Sequence, residues 1–300
     1  MSRPAAFLLM LFAPLVQAAA LGVADARHLL NRAGYGATAQ EIADYAGLSR
    51  EQAVERLLAG AVSEARTPVP EGVGEYQPPA RLRDLSEEER KAFQRRQFEL
   101  GAALRGWWLE EMLRTPSPLT ERMTLFWHNH FVSSLQKVRS TRLMLEQNRL
   151  LRRHALGNFA TLLHAVAKDP AMILYLDSAS NRKGRPNENF AREVMELFTL
   201  GEGHYGERDI QEAARAFTGW SIEPATGAFK WRPFFHDRGE KTVLGRSGSF
   251  DGDDVLEILL AQPATADFIA AKLWRAFVAP TPEPAGTAAV ARALREEAPP

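Results

Sequence analysis

"RPNENFAREVMELFTLGEGHYGERD", residues 185–209, decides the fold class. At 100° per residue, Phe190, Ala191, Val194, Leu197 and Phe198 of the 187–200 segment gather on one side, which predicts an amphipathic helix with that side on a core. Gly201 follows as a left-handed stop. Taking Asn189 as the origin of the polar side, Glu193 lies about 40° round and Glu196 about 20° the other way, so the three share one narrow face. Arg192 and Glu188 flank it. Two carboxylates three residues apart suit metal ligation, or an acid and a base with separated pKa values. The same residues also suit a solvated face, with Glu188 favouring the helix start and Arg192 forming i,i+4 pairs with Glu188 and Glu196.

The helical period recurs outward in both directions. It predicts helices over 24–33, 39–46, 50–58, 86–114, 142–154, 158–168, 171–176, 207–219, 253–260 and 264–278, with another opening at Ser117-Pro118. Proline and glycine mark a loop or linker near 62–85, and Asp177 to Pro186 reads as a polar, basic loop. Only residues 228–245 look like β structure. Phe229 and Trp231 alternate there with polar residues, and Arg238-Gly239 supplies a turn, so one hairpin is expected. The resulting class is mainly α, a multi-helical orthogonal bundle with one small β-hairpin, spanning residues 21–300 as a single mainly helical domain.

The 300 residues are 45% hydrophobic and 25% charged, a composition that can build a sizeable core. With 37 basic against 37 acidic side chains, no global field recruits nucleic acid or an anionic membrane, although a local patch is compatible with this balance. Residues 1–20 read as a secretory signal peptide: Arg3, an apolar run from Ala5 to Val16, then small residues suited to cleavage. The expected location is therefore periplasmic or secreted, with no transmembrane anchor after cleavage. Cysteine is absent, which removes disulfides, thiolate zinc sites and cysteine nucleophiles together.

Three further clusters bear on chemistry. His128 and His130, in Phe126-Trp127-His128-Asn129-His130-Phe131, sit about 200° apart on a continuous helix, so both bind one metal only if the helix opens there. His130 continues the stripe of Leu119, Met123, Phe126 and Trp127, where a hydrogen-bonded core histidine is the ordinary occupant. His236 beside Asp237, with Lys241 across the expected turn, could present an imidazole oriented by a carboxylate. Arg182, Lys183 and Arg185, near Asp177, could bind a phosphate, a sulfate or an acidic sugar. No phosphate-binding glycine loop, G-x-S-x-G elbow or H-E-x-x-H is present, which disfavours several common hydrolase classes.

Five ordered blocks, "HLLNRAGYGAT" at 28–38, "FWHNHFVSS" at 126–134, "LDSASNRKGRPNENFAREVMELFTLGEGHY" at 176–205, "EAARAFTGW" at 212–220 and "FHDRGEKTVLG" at 235–245, resemble the bacterial domain of unknown function 1800 family. The resemblance implies a largely helical, exported and biochemically uncharacterised protein. It puts His128, His130, Asn189, Arg192, Glu193, Glu196, Trp220, His236, Asp237 and Lys241 inside the family's motif blocks. Members usually continue beyond the equivalent of "KLWRAFVAP", so a C-terminal truncation is left open. They are often encoded beside an exported domain of unknown function 1501 family protein, which resembles phosphatases and sulfatases, and such a protein is the expected partner.

Two functions follow as expectations. One is an enzyme on an extracellular or envelope polymer, glycan-like, with Glu193, Glu196, His236 and Asp237 catalytic and Asn189, Arg192, Lys241 and Trp220 on the substrate. Its cofactor is unknown, with a divalent metal on some of His128, His130, Glu193 and Glu196 as the candidate. The other is a non-catalytic envelope binding or scaffold module whose polar motifs form an internal network. Geometry discriminates: the enzyme needs these groups to open into one concave pocket.

Overall fold

The structure is a computed structural model that describes residues 19–76, 78 and 84–296. The expected signal peptide lies, except for its last two residues, outside the described residues. Three short helices come first: α1 (Gly22–Ala33), α2 (Ala39–Ala46) and α3 (Arg50–Ala59). Thr38 with Glu41, and Ser49 with Gln52, close reciprocal capping boxes at α2 and α3, fixing both starts by sequence alone. These helices bury Ala26, Leu30, Ile42, Tyr45 and Ala53 in a small cluster of their own.

The expected loop near 62–85 carries no helix or strand among its described residues, yet it is packed. Val73 is fully buried, Trp107 Nε1 donates to the Thr67 carbonyl (2.8 Å), and Glu111 accepts from the Arg66 and Thr67 amides (3.0 and 2.7 Å). A long helix follows, α4 (Glu87–Arg114), capped by Ser86 with Glu89 and stopped at Thr115-Pro116. Its N-terminal half is exposed; its C-terminal half packs on α5 (Pro118–His130) and α7 (Thr141–Arg153), with the single turn α6 (Leu135–Val138) between them.

The main core forms where α5 and α7 meet α8 (Phe159–Ala167), α9 (Pro170–Tyr175), α10 (Asn189–Glu193), α11 (Glu207–Ala216), α12 (Gly252–Leu260) and α13 (Pro263–Phe277). Asn158 and Asp169 cap α8 and α9, the latter with Pro170 in the first helical position. The last helix, α14 (Pro284–Glu296), lies on α13. No helix among the described residues is long and apolar enough to cross a membrane.

The mainly α class holds, and two local expectations are corrected. The 187–200 segment is not one regular helix: after Glu193 the backbone widens into a π turn over Val194–Thr199, where the Leu200 amide bonds the Met195 carbonyl five residues back. Nor does the chain fold back at Arg238-Gly239. β2 (Phe229–Trp231) pairs backward with β1 (Trp220–Ile222), while β3 (Lys241–Val243) pairs forward with β4 (Arg246–Gly248), both antiparallel. Leu244 and Gly245, at φ of 49° and 78°, make the two-residue turn that joins β3 to β4, as hairpin twist demands.

Candidate functional site

The residues singled out by sequence are mostly consumed by the fold. Asn189 Nδ2 donates to the Leu176 carbonyl (3.1 Å), and its amide donates to Asn187 Oδ1 (3.0 Å). Asn187 in turn bonds Asn181 Oδ1 through its amide (2.9 Å) and the Asp177 carbonyl through Nδ2 (3.1 Å). The Asn-Glu-Asn string therefore laces the loop around Asp177, whose φ is +57°, to the start of α10. Arg192 is held by both oxygens of Glu207 (2.8 and 2.9 Å) and weakly by Glu188 (3.5 Å); its expected pair with Glu196 does not form. Glu196 instead accepts from the Tyr205 hydroxyl (2.7 Å). Glu193 is half-buried without a hydrogen bond or ion pair among the described residues, and burial, then the neighbouring Glu196, pushes its pKa up.

His130 is a core residue. A carbonyl only accepts, so its Nε2–H donates to Phe198 O (3.1 Å), leaving Nδ1 to accept from Lys272 Nζ (3.0 Å). Lys272 also bonds the Leu197 carbonyl (3.1 Å). Together they satisfy carbonyls at the end of the π turn. Burial, then the Lys272 charge, holds the His130 pKa down at about 3, and burial lowers Lys272 to about 8. His128, as the angular argument required, points elsewhere.

The expected His236–Asp237 pairing is not made. His236 Nδ1 donates to the Thr218 carbonyl (3.0 Å), whereas the Asp237 carboxylate takes Arg215 (2.8 and 3.3 Å) and the Gly239 amide (2.8 Å). The Arg215 hydrogen bond holds Asp237 down at about 2. Lys241 is 1% exposed, its ammonium spent on the Asp237 and Gly239 carbonyls (2.6 and 3.0 Å), so it has no reach to a substrate. Trp220 is also buried, edge-on to Phe217 and beneath Lys168. Among the described residues no three His, Asp or Glu side chains converge as a metal site. The cleft that His236 lines takes no residue from the 187–200 segment. The single pocket expected around these groups is thus not assembled.

A different cleft is. Between the C-terminal half of α4, the end of α5, α6 and α7 lies a space of about 400 Å³ walled by Leu104, Trp107, Trp108, Leu135 and Met144. Gly101 lets α6 close one end, since a Cβ there would stand 2.7 Å from Leu135 Cδ2. Polar groups converge on this apolar wall. His128 meets Trp108 edge-on at 5.1 Å and has no hydrogen bond among the described residues; burial lowers its pKa, favouring the neutral ring. Ser133 and Ser134 face the same space. Asn148 is 6% exposed, and neither its Oδ1 nor its Nδ2 has a partner among the described residues. An unpartnered buried amide costs about 1–3 kcal/mol for each group left unsatisfied, so a site for it is the exception that calls for a reason.

The cleft is braced from behind. Gln147 Nε2 donates to Ser133 Oγ (3.0 Å) and to Asp169 Oδ2 (2.7 Å), and burial raises Asp169 to about 7. Trp108 Nε1 donates to Glu121 Oε2 (2.9 Å), and Glu121 is bound by Arg152 through Nε and Nη2 (2.5 and 3.0 Å). Sequence reading found His128 but missed Asn148. Its signal was available: Gln147 and Asn148 interrupt the stripe of Leu143, Met144 and Leu151, two amides where a core helix wants apolar side chains.

The chain matches the family described as protein of unknown function (DUF1800) over residues 28–298. It belongs to that family. No curated protein and no solved structure matches it. For a DUF1800 member the placement of the motif blocks is informative, because Asn187, Asn189, His130 and Lys241 build the frame, while His128, with Ser133 and Ser134 of the same block, lines an amphiphilic cleft.

Proposed function

We propose that this DUF1800 protein is an envelope binding module that holds a neutral, hydroxyl- or amide-bearing ligand, such as one unit of a glycan, in the cleft of Trp107, Trp108, His128 and Asn148. The observation that carries this reading is Asn148, a residue that lines an apolar-walled space and whose buried amide oxygen and nitrogen find no partner among the described residues. A neutral imidazole and two serine hydroxyls beside it suit hydroxyl groups, and the indole walls suit the apolar face of a ring. Catalysis through Glu193, Glu196 and His236 is not the reading this geometry favours, since the cleft that His236 lines takes in neither carboxylate. Export to the periplasm or medium, indicated by the first 20 residues, and an exported domain of unknown function 1501 protein as partner accompany this proposal.

Asn148→Leu tests it. The substitution keeps the shape and removes the unanswered polar atoms, so the folded protein should gain about 1–3 kcal/mol. Titration with N-acetylglucosamine and glucose, followed by tryptophan fluorescence and by melting temperature, should give a saturable response in the wild type and none in Asn148→Leu. An unaltered response in the variant, or a variant less stable than wild type, would show that Asn148 serves packing alone and sink the proposal.

A further inference from the structure

The basic loop at 182–185 and the turn at 231–238 form one continuous face, tied together by the Lys183 amide donating to the Phe235 carbonyl (2.8 Å). Phe234, on the Arg232-Pro233-Phe234-Phe235 turn, is 78% exposed, and Trp231 beside it is 47% exposed. Arg182, Lys183 and Arg238 lie on this face, with Arg185 bridged to Arg182 in the loop, and none of the four has a carboxylate partner among the described residues. Arg182 stacks over Phe235 (5.4 Å) and Lys183 over Phe234 (5.0 Å). The nearby Lys230 is paired with Glu223, Asp237 with Arg215 and Asp177 with Lys137, and the exposed Glu240 follows the turn.

Beneath Phe234 opens a cleft of about 490 Å³ lined by Lys183, Gly184, Pro233, His236, Asp237 and Arg238. His236 is 92% buried, being 8% exposed, with Nδ1 fixed on Thr218. Its Nε2 has no partner among the described residues, and the residue lines this cleft. We propose that this face docks the protein on a phospholipid surface carrying anionic headgroups, with Phe234 entering the apolar boundary and the cleft taking one headgroup. Lys183 and Arg238 are placed for the phosphate, and Nε2 for a headgroup hydroxyl.

Charge complementarity selects an anionic partner, and the aromatic geometry selects a membrane over a soluble polyanion. Lys183 lies over one face of Phe234 and Phe235 meets it edge-on at 5.7 Å, so a cation and an apolar ring are presented together by a side chain that stays 78% exposed. An exposed aromatic side chain among cations is the arrangement that interfacial anchors use. Net charge is zero, so this recruitment is a property of one patch rather than of the whole field. The inference is independent of the saccharide cleft.

Sedimentation with vesicles tests it, comparing pure phosphatidylcholine with phosphatidylcholine containing phosphatidylglycerol. The wild type should pellet with the phosphatidylglycerol vesicles, and less so as salt rises. Phe234→Ser should weaken the partition roughly tenfold, from the apolar area lost. Lys183→Glu with Arg238→Glu should weaken it on the order of fivefold or more per charge. Arg50→Glu on α3 should leave it unchanged, which makes any contribution from the apolar first residues common to every variant; unchanged melting curves establish that all are folded. Equal binding to both vesicle types, or binding indifferent to Phe234→Ser and to the double reversal, overturns the proposal. Retention on heparin without vesicle binding overturns it in favour of a soluble polyanion.

Discussion

Replacing Glu121 by Gln should be among the most damaging single changes in this protein, although it alters one atom. Glu121 on α5 and Arg152 on α7 have side chains 2% and 1% exposed, joined by two hydrogen bonds, with Arg152 also 5.5 Å from the Trp107 ring centre. Neutralising the carboxylate leaves the guanidinium charged and out of water. Removing one partner of a buried pair costs about 3–5 kcal/mol, because the surviving charge is uncompensated. Arg152 Nη1 has no partner among the described residues, and Glu111, the other buried carboxylate whose charge acts on Arg152, makes no hydrogen bond to it. At ~2–4 °C per kcal/mol for a domain of this size class, the melting temperature should fall by roughly 6–20 °C. Urea unfolding of Glu121→Gln, Arg152→Met and Glu121→Leu/Arg152→Met at one pH and salt measures this. The double replacement, which removes both charges and fills the space with apolar atoms, should recover most of the loss. A Glu121→Gln variant within about 1 kcal/mol of wild type, or a double variant no better than the singles, would refute the reasoning.

Three other outcomes are expected. Asp169 has a folded pKa of about 7 against 3.8 unfolded, so its contribution to stability is fully present below pH 3.8 and is lost as pH rises through 7. The total is on the order of 4 kcal/mol, and Asp169→Asn should flatten the corresponding pH dependence of urea unfolding. His164 sits between Asp253 and Glu257 (2.9 and 2.7 Å), and the Asp253 hydrogen bond leads the interactions that raise its pKa. The stability it adds is present below the ordinary imidazole range and disappears as pH climbs through the raised value; His164→Gln should erase that step in melting curves. Lys241→Met strips two carbonyls of their donor and should destabilise by about 1–3 kcal/mol. Its saccharide titration should stay as in wild type, since the ammonium lies inside the fold.

Much of the frame was legible without coordinates, because helices with a 3.6-residue apolar period and side-chain caps are specified locally. Thr38, Ser49, Ser86, Asn158 and Asp169 each bond an amide within three residues, and the helix starts expected at 39, 50, 86, 158 and 171 fall within one residue of those observed. The β elements were less readable. Their strands are three residues long, too short for alternation to register, and Leu244-Gly245 resembles an apolar strand end more than a turn. Arg238-Gly239 has turn composition, but the Asp237 carboxylate, held by Arg215, spends it on an irregular bend.

The polar motifs show where local reading stops. An asparagine, a histidine or a lysine has the same composition whether it faces a ligand or straps a loop, and only its donors and acceptors decide. Those partners are remote: Lys272 lies 142 positions from His130, and Thr218 lies 18 from His236. The sequence determined the helical class, the caps and the angular separation of His128 from His130. Tertiary packing alone decided that His130 closes a π turn while His128 borders a cleft, and that Asn148 is left unanswered beside it. Hydrogen-bond satisfaction in a buried site is a property of every chain segment that reaches it, and no local stretch contains that information.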